Sequence, residues 1–159
     1  MRILGVVAAL LLLVSGCANA QQGTGSPLNF RLGDDVGRVK QALGTNTEPE
    51  EMRRTPGLPA NVDPNRGKTF MHLRTRGIWV FFRNDKLETI RLDAPYAGHV
   101  RGIGIGDPVK KVKSTLGPPQ VKPWSVGMNQ AYRYALNDDA YLIFHVNPDD
   151  EVQIIFINK

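Results

Sequence analysis

The sequence predicts an α+β fold in which two tandem helix–loop–three-strand repeats form one curved antiparallel sheet with helices packed on one face. The first observation is a repeat: residues 32–44 recur as residues 105–117, with an apolar residue, Gly, Asp, Val, Val, Lys, Leu and Gly in matching places. The second is that each copy precedes aromatic and β-branched runs closed by turn residues, which is typical of hairpins. Because repeated units share a continuous surface, the duplication predicts one common core.

Each copy begins with a predicted helix. Asp34 and Asp107 directly precede the helical patterns, where a carboxylate can accept the free N–H groups of the first turn, so both are predicted N-caps. The apolar residues recur at helical spacing and predict one stripe on each helix that faces a sheet. These residues are Val36, Val39 and Leu43 in the first copy and Val109, Val112 and Leu116 in the second.

Three antiparallel strands are predicted after each helix. They cover residues 69–74, 78–82 and 87–92 in the first copy, and residues 131–136, 141–146 and 152–157 in the second. The connector before the strands differs between the copies. Residues 45–68 are long, rich in Pro and Arg and predict a short helix over 50–54, whereas residues 118–129 are shorter and contain Trp124. Such a difference is typical either of a functional loop or of drift in an unselected connector.

The N-terminus predicts export and a lipid anchor. Arg2 precedes an apolar stretch over residues 3–14, which is too short to cross a bilayer and is typical of a signal peptide. Val14-Ser15-Gly16-Cys17 has the pattern of a bacterial lipobox, so we predict a signal peptide over 1–16 with Cys17 lipidated as the first mature residue. The alternative is ordinary cleavage after Ala20, which would release a soluble periplasmic protein.

The remaining chain predicts a flexible tether over residues 17–29, then repeat 1 over 30–98 and repeat 2 over 99–159, together forming one compact domain. Cys17 is the only cysteine, so no disulfide is available and a packed core must supply the stability. The formal net charge is +5, a modest excess that suits an acidic protein or an anionic lipid or glycan surface. Nucleic acid is not an expected partner in an exported protein.

The sequence contains no motif that indicates an enzyme. His72, His99 and His145 have neither the spacing of metal ligands nor a nucleophile motif beside them. The acidic run over residues 149–151 reads as a polar turn, because no calcium-loop pattern surrounds it. We therefore predict no catalytic residues, no metal and no cofactor, and a hydrolase with scattered carboxylates is the least supported alternative.

One face of the predicted sheet is unexpectedly apolar. Ile90, Leu92, Ile155 and Ile157 share the predicted core face, so the alternate residues should be polar. Thr89 and Arg91 fit this expectation in the first copy, whereas their counterparts in the second copy are apolar. An apolar patch favours a partner surface, unless the loop with Trp124 or the other repeat covers it. The predicted partner-binding residues are Arg91, Trp124, Tyr141, Ile143, His145, Ile154 and Phe156.

The lipobox followed by Gly-Asp-x-x-x-x-Val-Lys-x-x-Leu-Gly and a short antiparallel sheet resembles the BamE/SmpA-type outer-membrane lipoproteins. The doubled motif over residues 32–157 resembles the tandem architecture of the β-lactamase inhibitory proteins. This chain departs from the first group by being doubled and from the second by lacking disulfide cysteines. The motif residues are helix caps and core positions, so the resemblance assigns no binding residue to this chain.

The resemblance implies a non-enzymatic envelope lipoprotein that binds another protein. Its tandem part implies an inhibitor or immunity protein that neutralises a periplasmic or secreted enzyme. The alternative is a BamE-like lipoprotein of outer-membrane assembly or envelope integrity. Ala18 follows Cys17, which by analogy with lipoprotein sorting predicts anchoring to the outer membrane on its periplasmic side.

Overall fold

The computed structural model describes residues 28–159. The predicted signal peptide, Cys17 and most of the tether therefore lie outside the described residues. The elements follow in chain order: α1 (Val36–Leu43), β1 (Glu50–Glu51), β2 (Lys68–Leu73), a 3-10 helix (Arg74–Arg76), β3 (Ile78–Arg83), β4 (Lys86–Asp93), β5 (His99–Val100), β6 (Ile103–Gly104), α2 (Val109–Leu116), β7 (Trp124–Val126), β8 (Asn129–Asn137), β9 (Ala140–Val146) and β10 (Val152–Asn158).

Eight of the strands form one antiparallel sheet in the order β1-β2-β3-β4-β10-β9-β8-β7. Its centre is the pairing of β4 with β10, in which Ile90 lies opposite Ile157 and Arg91 lies opposite Phe156. The pairing of β4 with β10 thus joins two groups of antiparallel strands, β1–β4 and β7–β10, which we call the two hairpin groups. The strands β5 and β6 pair only with each other.

The predicted fold class is wrong. The described chain is mostly β: it has one eight-stranded sheet and two helices of eight residues each, instead of two tandem helix–loop–three-strand repeats with helices covering one face. The predicted connectors add the two outer strands, β1 and β7. Glu50 and Glu51 pair with β2 and do not form the predicted helix over 50–54. A sheet edge offers free backbone groups, and these short segments satisfy their own by pairing with it.

The predicted N-caps are also displaced by one residue. Asp35, not Asp34, caps α1, because its Oδ1 accepts the Arg38 N–H at 2.8 Å. Pro108 occupies the cap position of α2 and offers no side-chain acceptor. Asp34 and Asp107 instead accept N–H groups from three residues earlier in the chain, and so fix the turns that lead into the helices. The distances are 2.9 Å from Arg31 N to Asp34 Oδ2 and 2.7 Å from Gly104 N to Asp107 Oδ2.

The Gly-Asp pairs attach the helices to the two central strands. Gly33 donates to the Leu87 carbonyl and Leu87 donates to the Asp34 carbonyl, each at 2.8 Å. Gly106 and Asp107 make the same two bonds with Val152, at 2.7 and 2.9 Å. Both glycines have positive φ, 90° and 85°, a region that glycine enters without steric cost. The repeated motif therefore positions β4 and β10, which carry the centre of the sheet.

The core lies on the side of the sheet that receives the helices. Val39 of α1 and Val112 of α2 are fully buried with the alternating residues of the strands. The predicted core face is confirmed, since Ile90, Leu92, Ile155 and Ile157 are at most 2% exposed. The largest buried rings are Phe82 and Phe144.

Candidate functional site

The side of the sheet opposite the core, here called the open face, carries a continuous set of aromatic, arginine and aliphatic side chains. They alternate with the buried residues of each strand and are mostly half-buried. The open face includes Glu50, Lys68, Phe70, His72, Trp79, Phe81, Arg83, Glu88, Thr89, Arg91, Asp93, Trp124, Val126, Asn129, Ala131, Arg133, Ala135, Tyr141, Ile143, His145, Ile154, Phe156 and Asn158.

One row of the open face crosses six strands. Direct cross-strand pairing places its members side by side, and directly opposed side chains are close enough to touch. Five of the six are aromatic, histidine or arginine. In spatial order the row is His72, Trp79, Arg91, Phe156, Ile143 and Arg133.

The β2–β3 end of the open face is a stack of rings. The imidazole of His72 lies on the indole of Trp79, with ring centroids 3.4 Å apart and planes 14° apart. Phe70 and Phe81 continue the stack, at 5.9 and 6.3 Å from Trp79 respectively. These rings are half-buried on a side of the sheet that no helix covers, because they cover one another.

Arg91 occupies the seam where β4 meets β10. Its guanidinium carbon lies 5.3 Å from the ring centroid of Trp79 and 5.9 Å from that of Phe156. Its Nη2 also contacts Asp93 Oδ2 at 2.8 Å. Two cation–π contacts and one ion pair thus hold this arginine in place and link the rings of the two hairpin groups.

Two further contacts order the far side of the open face. The guanidinium carbon of Arg133 lies 3.9 Å from the ring centroid of Tyr141. The imidazole of His145 packs against Phe156, with centroids 5.1 Å apart. Side chains of β8, β9 and β10 therefore hold one another in fixed orientations.

A charged cluster closes one end of the open face. Lys68 Nζ and Arg83 Nε each lie 3.1 Å from a carboxylate oxygen of Glu88. Burial raises the pKa of Glu88, but the hydrogen bonds from Lys68 and Arg83 outweigh this and hold it below its usual value. Arg83 also donates to the carbonyls of Pro64 and Arg66, so the cluster secures the loop before β2.

The two open-face histidines are predominantly neutral at pH 7. Burial lowers the pKa of His72, and the charges of Arg74 and Arg91 add to this, while Asp93 opposes it. Burial also lowers the pKa of His145, again reinforced by Arg91. The face therefore presents neutral imidazoles among its rings.

All seven sequence-predicted binding residues lie on the open face. Arg91 is on β4, and the other six are on β7, β9 and β10. Trp124 is 38% exposed in the edge strand and lies directly opposite Ala131, which is fully buried, so the open face is closed to solvent at this position. The structure thus brings together residues from distant parts of the sequence. Their role in binding stays a prediction.

Part of this face was not predicted from the sequence. The first half was expected to be polar, which is wrong, because Phe70, His72, Trp79 and Phe81 lie there together with Thr89. Arg133 was missed as well. The available signal was the alternation within β3, but an unbroken apolar run does not reveal which of its residues face the core.

Within residues 28–159, no three His, Cys, Asp or Glu side chains group as metal ligands would. Over the same residues, no helix is long and apolar enough to cross a membrane. A depression of about 440 Å³ lies at the end of the central strands, where Arg31 and Leu32 face the β8–β9 turn.

No known family profile and no curated protein sequence matches the chain. Similar solved structures exist. One is a cysteine-rich secretory protein from Staphylococcus aureus (TM-score 0.53, 10% identity, 80% of this chain and 43% of that chain), and another is an extracellular protein containing a SCP domain from Bacillus anthracis (TM-score 0.56, 10% identity, 80% and 44%). A DUF4309 family protein from Bacillus subtilis matches with a TM-score of 0.48 at 20% identity, over 86% of this chain and 82% of that one.

The chain spans less than half the length of the first two proteins, at 43% and 44%. At 10% identity these likenesses concern the fold alone. The functional argument must therefore come from the open face itself.

Proposed function

We propose that this chain is a non-enzymatic, protein-binding lipoprotein of the bacterial cell envelope, and that it docks a partner enzyme on its open face and thereby inhibits it. The observation that carries the proposal is the cross-strand row from His72 to Arg133. Tryptophan, tyrosine and arginine are the residues that dominate binding energy in protein interfaces. Here Trp79 and Arg91 are direct cross-strand neighbours, and Tyr141 packs on Arg133 at the end of the row.

The order of these side chains supports the proposal. Trp79 and Phe156 hold Arg91 between them, and Tyr141 supports Arg133. Association with a protein normally costs side-chain entropy, at about 0.5–1.5 kcal/mol for each long side chain that becomes fixed. Arginines already packed on rings lose less on binding, so the face is suited to a tight complex.

A photo-crosslinking amino acid tests the docking surface. We would place it in living cells at Ile143 or Phe156, and as matched controls at Lys110 and Lys113 on the exposed side of α2. We expect a discrete adduct from the open-face positions and none from the helix. Equal adducts from both surfaces, or adducts from α2 alone, would overturn the proposal.

The identity and activity of the adduct test inhibition. We expect one secreted or periplasmic enzyme, whose purified activity falls on addition of the wild-type chain. The variants Trp79→Ala and Phe156→Ala should weaken this inhibition by about tenfold or more each, as hot-spot residues do. Recovery of barrel-assembly components without inhibition of any enzyme would favour the assembly lipoprotein instead.

The membrane anchor is tested separately. Cys17→Ser removes the thiol that a lipidation system would modify, so we expect the protein to move from the membrane fraction to the soluble periplasmic fraction. A Ser15→Thr variant serves as the control with Cys17 intact. Membrane association that survives Cys17→Ser contradicts the anchor.

A further inference from the structure

We infer that Arg133 is the anchor point for an acidic side chain of the partner protein. The inference rests on the proposed function and names the chemistry that its open face would recognise. It predicts that an Asp or Glu of the partner lies opposite this guanidinium, with apolar partner groups beside it on Ile143.

The argument begins with the ion pairs of the open face. Lys68 and Arg83 share the carboxylate of Glu88, and Arg91 is paired with Asp93. These cations already have internal partners. Arg133, by contrast, forms no ion pair within residues 28–159. It is the open-face arginine whose charge is left for a partner to neutralise.

Arg133 is also fixed in position. Its guanidinium carbon lies 3.9 Å from the ring centroid of Tyr141, and its backbone carbonyl accepts the Gln120 N–H at 2.9 Å. Its Nε is buried and has no hydrogen-bond acceptor in the described chain. Arg91 Nε is buried without an acceptor in the same way. A buried Nε is out of a partner's reach, so a partner carboxylate would accept from the terminal Nη groups of Arg133, whose side chain is half-buried.

The surroundings have room for such a group. Arg133 and Tyr141 line a depression of about 220 Å³, together with Lys159 as a second cation. Asp138 and Asp139 line it as well, but neither lies within ion-pair distance of Arg133. Because Ile143 is the direct cross-strand neighbour of Arg133, apolar groups of the partner would lie beside its acidic residue.

The test is an NMR titration of the mature chain. The probe is an acetylated oligoglutamate peptide, and oligoglutamine is the control. We expect saturable shifts of the Arg133 Nε–H and Tyr141 signals with oligoglutamate only. Arg133→Gln should weaken binding by about tenfold or more, as expected for loss of a charge-assisted hydrogen bond, and Arg133→Lys should weaken it less.

A second basic surface provides the matched control. Lys110→Gln with Lys113→Gln removes two exposed charges from α2 and should leave the oligoglutamate affinity unchanged. Asp138→Asn with Asp139→Asn should strengthen it by removing repulsion near the depression. Circular dichroism of each variant checks that the fold is retained.

Three outcomes overturn the inference: no saturable shift at Arg133, equal weakening by the α2 variant, or tighter binding of an alginate oligosaccharide than of oligoglutamate. The last outcome would assign the anchor to an acidic glycan. Crosslinking from Ile143 combined with any of these results would preserve the proposed function and remove only the acidic anchor.

Discussion

The two faces of the sheet carry similar apolar residues but differ in how far those residues are buried. On the core face Phe144 and Ile155 are fully buried. On the open face Phe156 and Ile143 are half-buried direct neighbours, and Phe156 also packs against His145 and Arg91. Full burial makes a residue essential for folding, whereas partial cover leaves its surface available to a partner. Under the proposed function, this difference separates stability from binding within one strand pair.

The largest expected difference comes from replacing one phenylalanine on each face of the sheet by alanine, on the adjacent strands β9 and β10. Phe144→Ala removes a fully buried ring that meets Tyr134 edge to face at 5.8 Å, and should lower the unfolding free energy by about 3–5 kcal/mol. Phe156→Ala on the open face should cost about 1 kcal/mol, through its lost ring and arginine contacts. Urea denaturation measures both. A similar loss for the two variants would contradict the separation of the faces.

The attachment of the helices to the core face should give the next largest effect. Asp107 accepts the Gly104 N–H and the Lys111 ammonium, each at 2.7 Å, so Asp107→Ala should cost about 1–3 kcal/mol. Asp139→Ala, in an exposed turn, should change stability by no more than about 0.5 kcal/mol. Thermal unfolding of the two variants side by side provides the measurement. Equal stability would mean that the Gly-Asp turn is dispensable.

Replacement of Arg91 tests how much the contacts within the open face contribute to the stability of the fold. Arg91→Gln removes two cation–π contacts and the Asp93 ion pair, and should lower the unfolding free energy by about 1 kcal/mol. Added salt should reduce the difference in unfolding free energy between this variant and the wild type, since part of that difference is electrostatic. Denaturation at low and high salt checks this, and an undiminished difference would assign the loss to packing alone.

The smallest expected effect is the pH dependence near neutrality. His72 and His145 have folded pKa values below the ordinary 6.5, so the unfolded chain binds their protons more readily. Stability should therefore be at its full value above pH 6.5 and decline as the pH falls towards the folded pKa values.

Replacing both histidines with Gln should flatten the stability curve below pH 6.5. The measurement is the denaturation midpoint as a function of pH. A decline in stability that persists in the double variant would assign the pH sensitivity to other groups.

At lower pH, Glu88, Asp63 and Asp107 contribute a further loss of stability, because their folded pKa values are also depressed and their stabilisation disappears as they protonate.

The longer strands were predictable from local pattern. The predicted segments 78–82 and 152–157 correspond to β3 and β10, because β-branched and aromatic runs between turn residues favour strands wherever they lie. The edge strands were not predictable. Glu50–Glu51 has little intrinsic strand preference and pairs because β2 presents a free edge. Those edge strands, with helices of only eight residues, are why the α+β prediction failed.

The candidate site was predictable only in part. The apolar alternation of β10 identified Ile154 and Phe156 correctly as open-face residues. Trp79 was hidden in an unbroken apolar run, and Arg133 gave no signal, because its environment consists of residues on neighbouring strands. Which residues an arginine meets across a sheet depends on register, which local sequence does not specify.

The sequence by itself determined the core face and the longer strands, since these follow from side-chain alternation. Only the tertiary structure decided that β4 pairs with β10, that the connectors become edge strands, and that Arg91 lies between Trp79 and Phe156. The physical reason is that strands distant in sequence pair only when their free edges come together in the folded chain. The cross-strand neighbours of a residue are therefore set by that pairing and not by the local sequence.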